Sequence, residues 1–296
     1  MFIIYVNSLP DCVSCKITMY ADDTTILCSA SDALTLQTEL DVNLNRLAYW
    51  FKENKLTLNI KKTKLMVFGS KYNLQNFQAV SLKYGNDVVE RVDSFKYLGV
   101  VFDPNLSWSH HINYVSSTVS KRIGIIRSVK YYLPPCTLNM LANALVMPHF
   151  DYCSIVWSNC NSEYSNTLQV LQNRLARILL NADIKTCVND LLTTLNWVKL
   201  SCRWKNQLLL FTFKCLTGSA PSYLSSQFSF THTMHSHNTR GQTFNALVEP
   251  TWKLGYGKRT FHYRASKIWN DLPQNVRFNF GTMSLPTFKI AISNDQ

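Results

Sequence analysis

The sequence has few charged side chains and no long apolar run. Of its 296 residues, 16% are charged and 46% are hydrophobic, which is typical of a globular chain and argues against a disordered one. No apolar run reaches the ~18 residues that a membrane helix requires, so no membrane span is expected. The apolar N-terminal segment MFIIYVNSLPD has no basic residues ahead of it, which excludes a secretory signal. Internal repeats and low-complexity tracts are also lacking.

Acidic residues are scarce. The chain has 18 Asp and Glu against 30 Lys and Arg, a formal net charge of +12. Residues 46–71 contain seven basic side chains and one acid, and residues 253–267 contain five basic side chains and no acid. A solvated helix face explains any single cluster, but the recurrence of such clusters favours an anionic partner, with nucleic acid first.

The cysteine and histidine spacings lack a complete metal-binding pattern. The nine cysteines are an odd number, and Cys12-x-x-Cys15 has neither a second pair nor a downstream His pair at zinc-finger spacing. For His232, His235 and His237 in HTMHSH, a polar loop is favoured over a metal site. The cysteines are interpreted as reduced thiols of an intracellular protein.

Near the N-terminus, two short segments rich in β-branched and aromatic residues flank a pair of aspartates. Residues 16–21 and 24–29 predict a tight β-hairpin with an Asp-Asp turn at its tip. Ser31 is the predicted N-cap of an amphipathic helix over residues 31–54. The segments KLTLNIKKTKLMVFGS and VDSFKYLGVVFD predict further strands.

From Ser107 onward, helical spacing of apolar residues dominates. The sequence therefore predicts an α+β chain. Residues 1–105 form a mixed first domain, residues 106–217 form a mainly helical one, and residues 218–296 form a C-terminal region of unknown role.

The adjacent carboxylates Asp22 and Asp23 at the hairpin tip repel each other unless a cation or water separates them. Mg²⁺ is the natural guest, because proteins usually hold it with one or two carboxylates plus substrate phosphates. An exposed turn also favours aspartate. The surrounding MYADDTTIL, with an aromatic residue close before the pair and β-rich flanks, favours the metal site.

YADD followed by TTIL resembles the metal-binding hairpin of reverse transcriptases. MFIIYVNSLPD, LNRLAYWFKENKLTLNIKKTKLMVFGS and FKYLGVVFDPNLSW resemble neighbouring blocks of the enzymes of non-LTR retrotransposons of the jockey and LINE type. LVMPHFDYCSIVW, LQNRLARIL and RASKIWNDLP resemble the helical region that follows. The resemblance implies that residues 1–105 are the rear of a polymerase palm and that a helical thumb-like region follows it.

The resemblance implies roles for residues at the hairpin. Asp22 and Asp23 match the carboxylates that bind Mg²⁺ in two-metal nucleotidyl transfer, and Asp22 is the stronger candidate for direct binding. Tyr20 and Ala21 match the floor near the primer end.

Further along the chain, Lys62 matches the region where polymerases place a general acid for the leaving pyrophosphate. A solvated lysine at the end of a strand is the equally favoured alternative. Tyr97, Leu98 and Gly99 match the turn that supports the primer strand.

Family members also carry another catalytic Asp and a Gly-rich block ahead of the segment that FIIYVN resembles, and this chain begins after both. Asp93, Asp103, Asp151 and Asp190 lack the sequence context to replace that Asp. We therefore expect little or no polymerase activity from the chain alone. The implied partners are template RNA, primer DNA, deoxynucleotides and Mg²⁺, and the implied location is cytoplasm and nucleus.

Two alternatives remain open. The chain can be a basic nucleic-acid-binding module without chemistry, in which Lys61, Lys62 and Lys64 and the Lys258-Arg259 pair contact phosphates. It can also be the product of a decayed element copy without a selected function.

Overall fold

The computed structural model describes residues 2–234 and 245–293. The chain divides into two compact units, residues 1–111 and residues 112–296. The first unit mixes strands with helices, and the described part of the second is helical apart from one isolated β-bridge between Phe230 and Leu247. The expected α+β composition is therefore confirmed. No helix in the described part of the chain has the length and apolar character needed to cross a membrane.

The first unit contains seven strands: β1 (Lys16–Tyr20), β2 (Asp23–Leu27), β3 (Lys64–Leu65), β4 (Leu82–Tyr84), β5 (Asp87–Arg91), β6 (Phe95–Tyr97) and β7 (Val100–Phe102). Its helices are α1 (Phe2–Tyr5), α2 (Ala33–Glu53) and α3 (Lys71–Asn76), with a 3-10 helix at Leu9–Cys12. The strands form three separate sheets, with the orders β1-β2, β3-β5-β4 and β6-β7. All neighbours are antiparallel except β3 and β5, which run parallel.

Helix α2 connects two apolar clusters of the first unit. Its N-terminal half packs Leu36 and Leu44 into a cluster with residues of the β3-β5-β4 sheet. Its C-terminal half places Leu47 and Trp50 in a second cluster under the β1-β2 hairpin. The spacing of these four residues is that of one helical stripe, which is why the amphipathic pattern predicted this helix.

The structure corrects two local predictions. The N-cap of α2 is Asp32 instead of Ser31, because the Asp32 carboxylate accepts a hydrogen bond of 2.8 Å from the Thr35 backbone N–H. The strand predicted across KLTLNIKKTKLMVFGS shrinks to the two residues of β3. Asn59 explains the loss, because its carbonyl accepts the backbone N–H groups of Lys62 and Thr63 and closes a turn there.

The second unit is built from helices, the first of which begins in the preceding unit: α4 (Ser109–Val129), α5 (Pro135–Leu145), α6 (Met147–Asp151), α7 (Ser154–Trp157), α8 (Ser162–Leu180), α9 (Val188–Thr194), α10 (Leu200–Leu216), α11 (Ser222–Ser225), α12 (Thr231–Met234), α13 (Phe261–Asn270), α14 (Gln274–Asn279) and α15 (Leu285–Ser293). Short 3-10 helices occupy Gly257–Arg259 and Phe280–Thr282. The helical character that the sequence predicts from Ser107 onward is confirmed in the described residues of this unit.

The core of the second unit is fully enclosed. Helix α4 contributes an apolar stripe that is at most 3% exposed, consisting of Ile112, Val115, Val119, Ile123 and Ile126. Around α10, Phe213 stacks on Phe288 with ring centroids 4.4 Å apart, and Trp269 packs against the same ring. The C-terminal helices are therefore anchored to α10 through aromatic contacts.

Candidate active site

The two carboxylates of the YADD motif occupy different positions in the β1-β2 hairpin. Tyr20 pairs with Asp23 across the strands, so the two-residue loop consists of Ala21 and Asp22. The predicted hairpin is confirmed, but the predicted Asp-Asp turn is wrong. Asp23 is already the first residue of β2, because the strand ladder continues one pair closer to the tip.

One face of the β1-β2 hairpin packs against an apolar cluster. Its inward side chains Ile17, Met19 and Ile26 pack against the apolar cluster under the hairpin, which consists of Val6, Leu9, Leu47 and Trp50. Strand side chains alternate between faces, so Tyr20 and its partner Asp23 share the outward face. Tyr20 is 64% exposed and both aspartates are exposed. The hairpin therefore presents its carboxylates to solvent from a fixed base.

Ala21 has a left-handed backbone conformation, with φ of 52°. A residue with a Cβ atom pays about 1 kcal/mol or more for this conformation relative to glycine. Strain of this kind is concentrated at functional sites. The tip of the hairpin thus combines a strained backbone with two exposed carboxylates.

Asp22 and Asp23 fit part of a Mg²⁺ site. The ion is commonly held by one or two carboxylates, with water and substrate phosphates completing its shell. Within residues 2–234 and 245–293, no group of three or more His, Cys, Asp and Glu side chains is placed to hold a metal. The hairpin therefore offers two carboxylate ligands, and the other ligands of the ion would be water or substrate phosphates.

The other aspartates considered as substitutes include two with clear structural roles. The buried carboxylate of Asp103 accepts hydrogen bonds from the backbone N–H groups of Ser107 and Trp108, at 2.9 and 2.8 Å. Asp151 forms a two-point ion pair with Arg203, whose guanidinium pKa is raised by that hydrogen bond. Both carboxylates are engaged in holding their own loops and helices together.

The three lysines of the predicted cluster differ in their surroundings. Lys61 and Lys62 are exposed on the turn closed by Asn59. Lys64 lies on β3, where its ammonium is paired with the Glu90 carboxylate of β5. Lys61 and Lys62 are therefore the better placed of the three to meet a phosphate.

The predicted primer-supporting residues form the loop of the β6-β7 hairpin. Tyr97 pairs with Val100, and the loop residues Leu98 and Gly99 have φ values of 44° and 81°. Positive φ at both loop positions is the signature of a type I′ turn, which favours glycine and asparagine. Leu98 therefore bears strain that Gly99 does not.

His111 supports the same hairpin and is a residue that the sequence did not reveal. It is only 2% exposed, and its Nδ1 accepts a hydrogen bond of 3.2 Å from the Val101 backbone N–H on β7. Burial, together with the charge of Lys96, lowers its pKa to about 4. The neutral ring thus holds the strand that follows the Leu98-Gly99 turn.

Two thiols flank the open end of the β1-β2 hairpin. Cys15 precedes the first ladder pair and Cys28 follows it. Burial and a hydrogen bond with the Cys15 thiol raise the pKa of Cys28 to about 12. Both cysteines are free, in agreement with reduced thiols. Of the HTMHSH histidines, His235 and His237 lie outside the described residues.

The predicted site residues thus fall on three separate strand pairs. Tyr20, Ala21, Asp22 and Asp23 share one hairpin tip. Lys61 and Lys62 lie on the turn before β3, and residues 97–99 form the β6-β7 loop. Strand pairing joins Tyr20 to Asp23 and Tyr97 to Val100, whereas Lys61 and Lys62 are held by the turn that Asn59 closes.

Comparison with known proteins finds two sequence matches. Residues 1–102 match the sequence model of the family described as reverse transcriptase (RNA-dependent DNA polymerase). The chain is also 22% identical over 197 residues to the RNA-directed DNA polymerase from mobile element jockey of Drosophila melanogaster, covering 64% of this chain and 21% of that protein. The chain thus spans about a fifth of the length of this curated relative. No solved structure matches it.

The family match includes the hairpin that carries Asp22 and Asp23. The family match spans the whole of β1 to β7, the segment in which the sequence motifs were most specific. The predicted resemblance to the reverse transcriptases of non-LTR retrotransposons is confirmed.

Proposed function

We propose that the chain is part of an RNA-directed DNA polymerase of a non-LTR retrotransposon. Residues 1–105 serve as the rear of the palm, residues 106–217 as a thumb-like region, and residues 218–296 as a C-terminal region. The observation that carries the proposal is the exposed Asp22-Asp23 pair, which lies on a braced hairpin within the residues that match the reverse transcriptase family. The substrates of such an enzyme are template RNA, primer DNA and deoxynucleotides.

In this proposal Asp22 and Asp23 hold Mg²⁺. When bound, such ions neutralise charge on the reacting phosphate and activate the attacking oxygen in two-metal phosphoryl transfer. Tyr20 shapes the surface beside the carboxylates, and Ala21 fixes the direction in which Asp22 leaves the loop. Lys62 supplies a cation for the leaving pyrophosphate, and residues 97–99 support the primer. The protein acts in the cytoplasm and nucleus.

The metal assignment is tested by adding Mn²⁺ to the isotope-labelled chain and recording amide resonances. We expect paramagnetic broadening of Tyr20 and Thr24, which lie on either side of Asp22 and Asp23, and loss of that broadening in Asp22→Asn/Asp23→Asn. Asp87→Asn is the matched control, because Asp87 is exposed and also begins a strand after a two-residue loop. Broadening that persists in the double variant would show that the carboxylates do not hold the ion.

We further propose that the 296-residue chain alone extends a primer poorly, because the hairpin supplies two carboxylates and no third acidic, His or Cys ligand is grouped with them in the described residues. The test is primer extension on an RNA template with Mg²⁺, with Asp22→Asn/Asp23→Asn as the background. We expect equal traces from the two proteins. Robust synthesis that disappears in the double variant contradicts this proposal and leaves the metal assignment intact.

A second candidate function is nucleic-acid binding without chemistry by residues 112–296. The charge distribution favours it, because residues 1–111 carry 11 basic and 11 acidic side chains, whereas residues 112–296 carry 19 basic and seven acidic ones. The whole net charge therefore belongs to the second unit. Binding of RNA–DNA hybrid should weaken steeply as salt rises, with a linear log–log slope. An affinity that barely changes with salt would exclude this function.

A further inference from the structure

A stretch of the second unit that belongs to no helix or strand exposes several large apolar side chains. All residues from 251 to 256 are exposed, and among them Trp252, Leu254 and Tyr256 are 47%, 72% and 50% exposed. Single exposed apolar residues are ordinary, but a contiguous group marks an interaction surface. We call residues 251–259 the Trp252 loop.

The Trp252 loop is held in one shape by its own backbone. The Gly257 N–H donates to the Leu254 carbonyl and the Arg259 N–H donates to the Tyr256 carbonyl, both at 3.1 Å. The Thr260 hydroxyl donates to the Gly257 carbonyl at 2.7 Å. These bonds close two successive turns, so the backbone of residues 254–260 has a fixed shape.

Two further contacts tie this segment to the body of the second unit. The side-chain amide of Asn159 donates to the Arg259 carbonyl at 2.8 Å. Arg264, on the helix that follows, donates to the Ile155 carbonyl and to the Ser158 hydroxyl, at 2.9 and 2.8 Å. Burial lowers the pKa of Arg264, and its guanidinium is used inside the fold. The loop is therefore anchored at its C-terminal end.

Gly257 positions the indole of Trp252. A Cβ atom at residue 257 would lie 2.3 Å from Cγ and 2.4 Å from Cδ2 of Trp252, far closer than van der Waals contact allows. The indole therefore rests directly against the Gly257 backbone on one side and remains half exposed. Gly255, two residues earlier, has open space at the same position.

Cations surround this aromatic surface, and the chain has no acid between Glu249 and Asp271. Lys253 lies between Trp252 and Leu254, and Lys258 follows the Gly257 contact; both lysines are exposed. A segment with aromatic rings, cations and no acidic residue of its own is complementary to a ligand that carries flat apolar groups and regular negative charge. Single-stranded nucleic acid has both features in an alternating order.

We propose that the Trp252 loop is a binding site for single-stranded nucleic acid, in which bases stack on Trp252 and Tyr256 while Lys253 and Lys258 contact the phosphates. The inference rests on the proposed nucleic-acid binding by the second unit, and it assigns a strand type and a stacking surface. Duplex bases are already stacked on one another and do not offer free faces to the ring. The loop therefore discriminates by strand state and reads no sequence.

An anionic membrane is the competing ligand for exposed Trp, Leu and Lys. Surface-bound membrane segments are typically amphipathic helices that insert a continuous apolar face. The Trp252 loop is non-helical up to residue 256, and its indole rests on backbone instead of protruding. These features favour a stacking surface over an inserting one.

The test measures fluorescence anisotropy of labelled oligo(dT), oligo(U) and a duplex of equal length with the full chain at one fixed salt concentration. Trp252→Ala should weaken binding of both single strands about tenfold, with little change for the duplex, and Trp252→Phe should restore most of it. Comparison of oligo(dT) with oligo(U) shows whether DNA or RNA is the preferred strand. Circular dichroism and thermal melting verify that each variant is folded.

The glycine pair supplies a matched control that changes neither charge nor ring count. Gly257→Ala should displace the indole and weaken single-strand binding to a similar degree, whereas Gly255→Ala should bind like the parent. Wild-type affinity in Trp252→Ala, an equal loss for duplex, or stronger binding to phosphatidylserine vesicles that depends on Trp252 would overturn the proposal. If Trp252→Ala changes nothing while duplex and single strands still bind, the stacking assignment fails and charge-based binding by the second unit stands.

Discussion

The first unit contains two hairpins built from nearly the same four residues, Tyr20-Ala21-Asp22-Asp23 and Tyr84-Gly85-Asn86-Asp87. In both, the tyrosine pairs with the last aspartate across a two-residue loop, and the first loop residue has positive φ, 52° for Ala21 and 62° for Gly85. The second version follows ordinary turn chemistry, since glycine and asparagine are the residues such loops favour. The first version departs from it at Ala21, whereas Asp22 is an ordinary turn residue that adds a charge.

The two loops differ in backbone strain and in charge. Ala21 accepts backbone strain that Gly85 avoids, and Asp22 adds a second charge beside Asp23 where Asn86 adds none beside Asp87. Tyr84 packs against the core cluster of its sheet, whereas Tyr20 is exposed. Neither the strain at Ala21 nor the second charge improves the β1-β2 hairpin as a structural element. Both agree with the proposal that the turn presents a carboxylate pair to a metal ion.

The largest effect is expected from exchanging the two loops. Ala21→Gly with Asp22→Asn should abolish Mn²⁺ broadening near Tyr20, because one carboxylate is gone and affinity should fall about tenfold or more. Gly85→Ala with Asn86→Asp creates the same carboxylate pair on β4-β5 and should produce broadening around Tyr84 and Val88. The measurement is the set of amide linewidths during a Mn²⁺ titration.

Two outcomes would contradict this interpretation of the loop exchange. If the β4-β5 loop gains no broadening, the carboxylate pair is insufficient and groups near the first hairpin contribute. If the β1-β2 loop keeps its broadening after the exchange, Asp23 suffices and Asp22 has no role in binding the ion.

The third hairpin of the first unit, β6-β7, is held by the buried His111, which accepts a hydrogen bond from the Val101 backbone N–H. The folded-state pKa of His111 is lowered to about 4 from an ordinary value of 6.5, so the unfolded chain takes up the proton first as pH falls. The stabilising contribution is complete above pH ~6.5, declines as pH falls to about 4 and is constant below that. Its size is on the order of 3 kcal/mol.

Urea unfolding of the full chain at several pH values measures this contribution. His111→Gln should be less stable at neutral pH and should lose the part of the pH slope that lies between the two pKa values. His110→Gln is the control, because His110 is exposed and adjacent, and it should keep the parental slope. A parental slope in His111→Gln would mean that the buried ring is not the titrating group.

Much of this architecture follows from local sequence patterns. The hairpin flanks and the apolar positions of α2 and α4 repeat with the period of their element, so periodicity predicted these elements. Asp22 and Asp23 were found because their neighbours match a family motif. These features depend on residues close together in the chain.

Features that depend on pairing across the fold were missed. Asp23 belongs to β2 because it pairs with Tyr20 across the hairpin. The sequence alone is equally compatible with a loop made of Asp22 and Asp23. His111 accepts a hydrogen bond from the Val101 backbone N–H on β7. The sequence His110-His111-Ile112 at the start of α4 does not indicate that contact. Glu90 pairs with Lys64 from a strand 26 residues away, so the cluster of lysines did not show which of them is neutralised.

The smallest expected effect tests the strain itself. Ala21→Gly should stabilise the chain by about 1 kcal/mol and Gly85→Ala should destabilise it by about the same amount, because only glycine adopts positive φ without a steric cost. Nothing lies within 4 Å of a Cβ atom at Gly85, so that variant reports backbone strain without a clash. Urea unfolding of both variants gives the two changes in the free energy of unfolding.

Opposite signs would show that the two loops share one backbone conformation, in which Ala21 is retained at a cost in stability. If both variants lose stability, Ala21 makes a favourable contact at the tip that glycine cannot replace, and the strain argument for that loop fails.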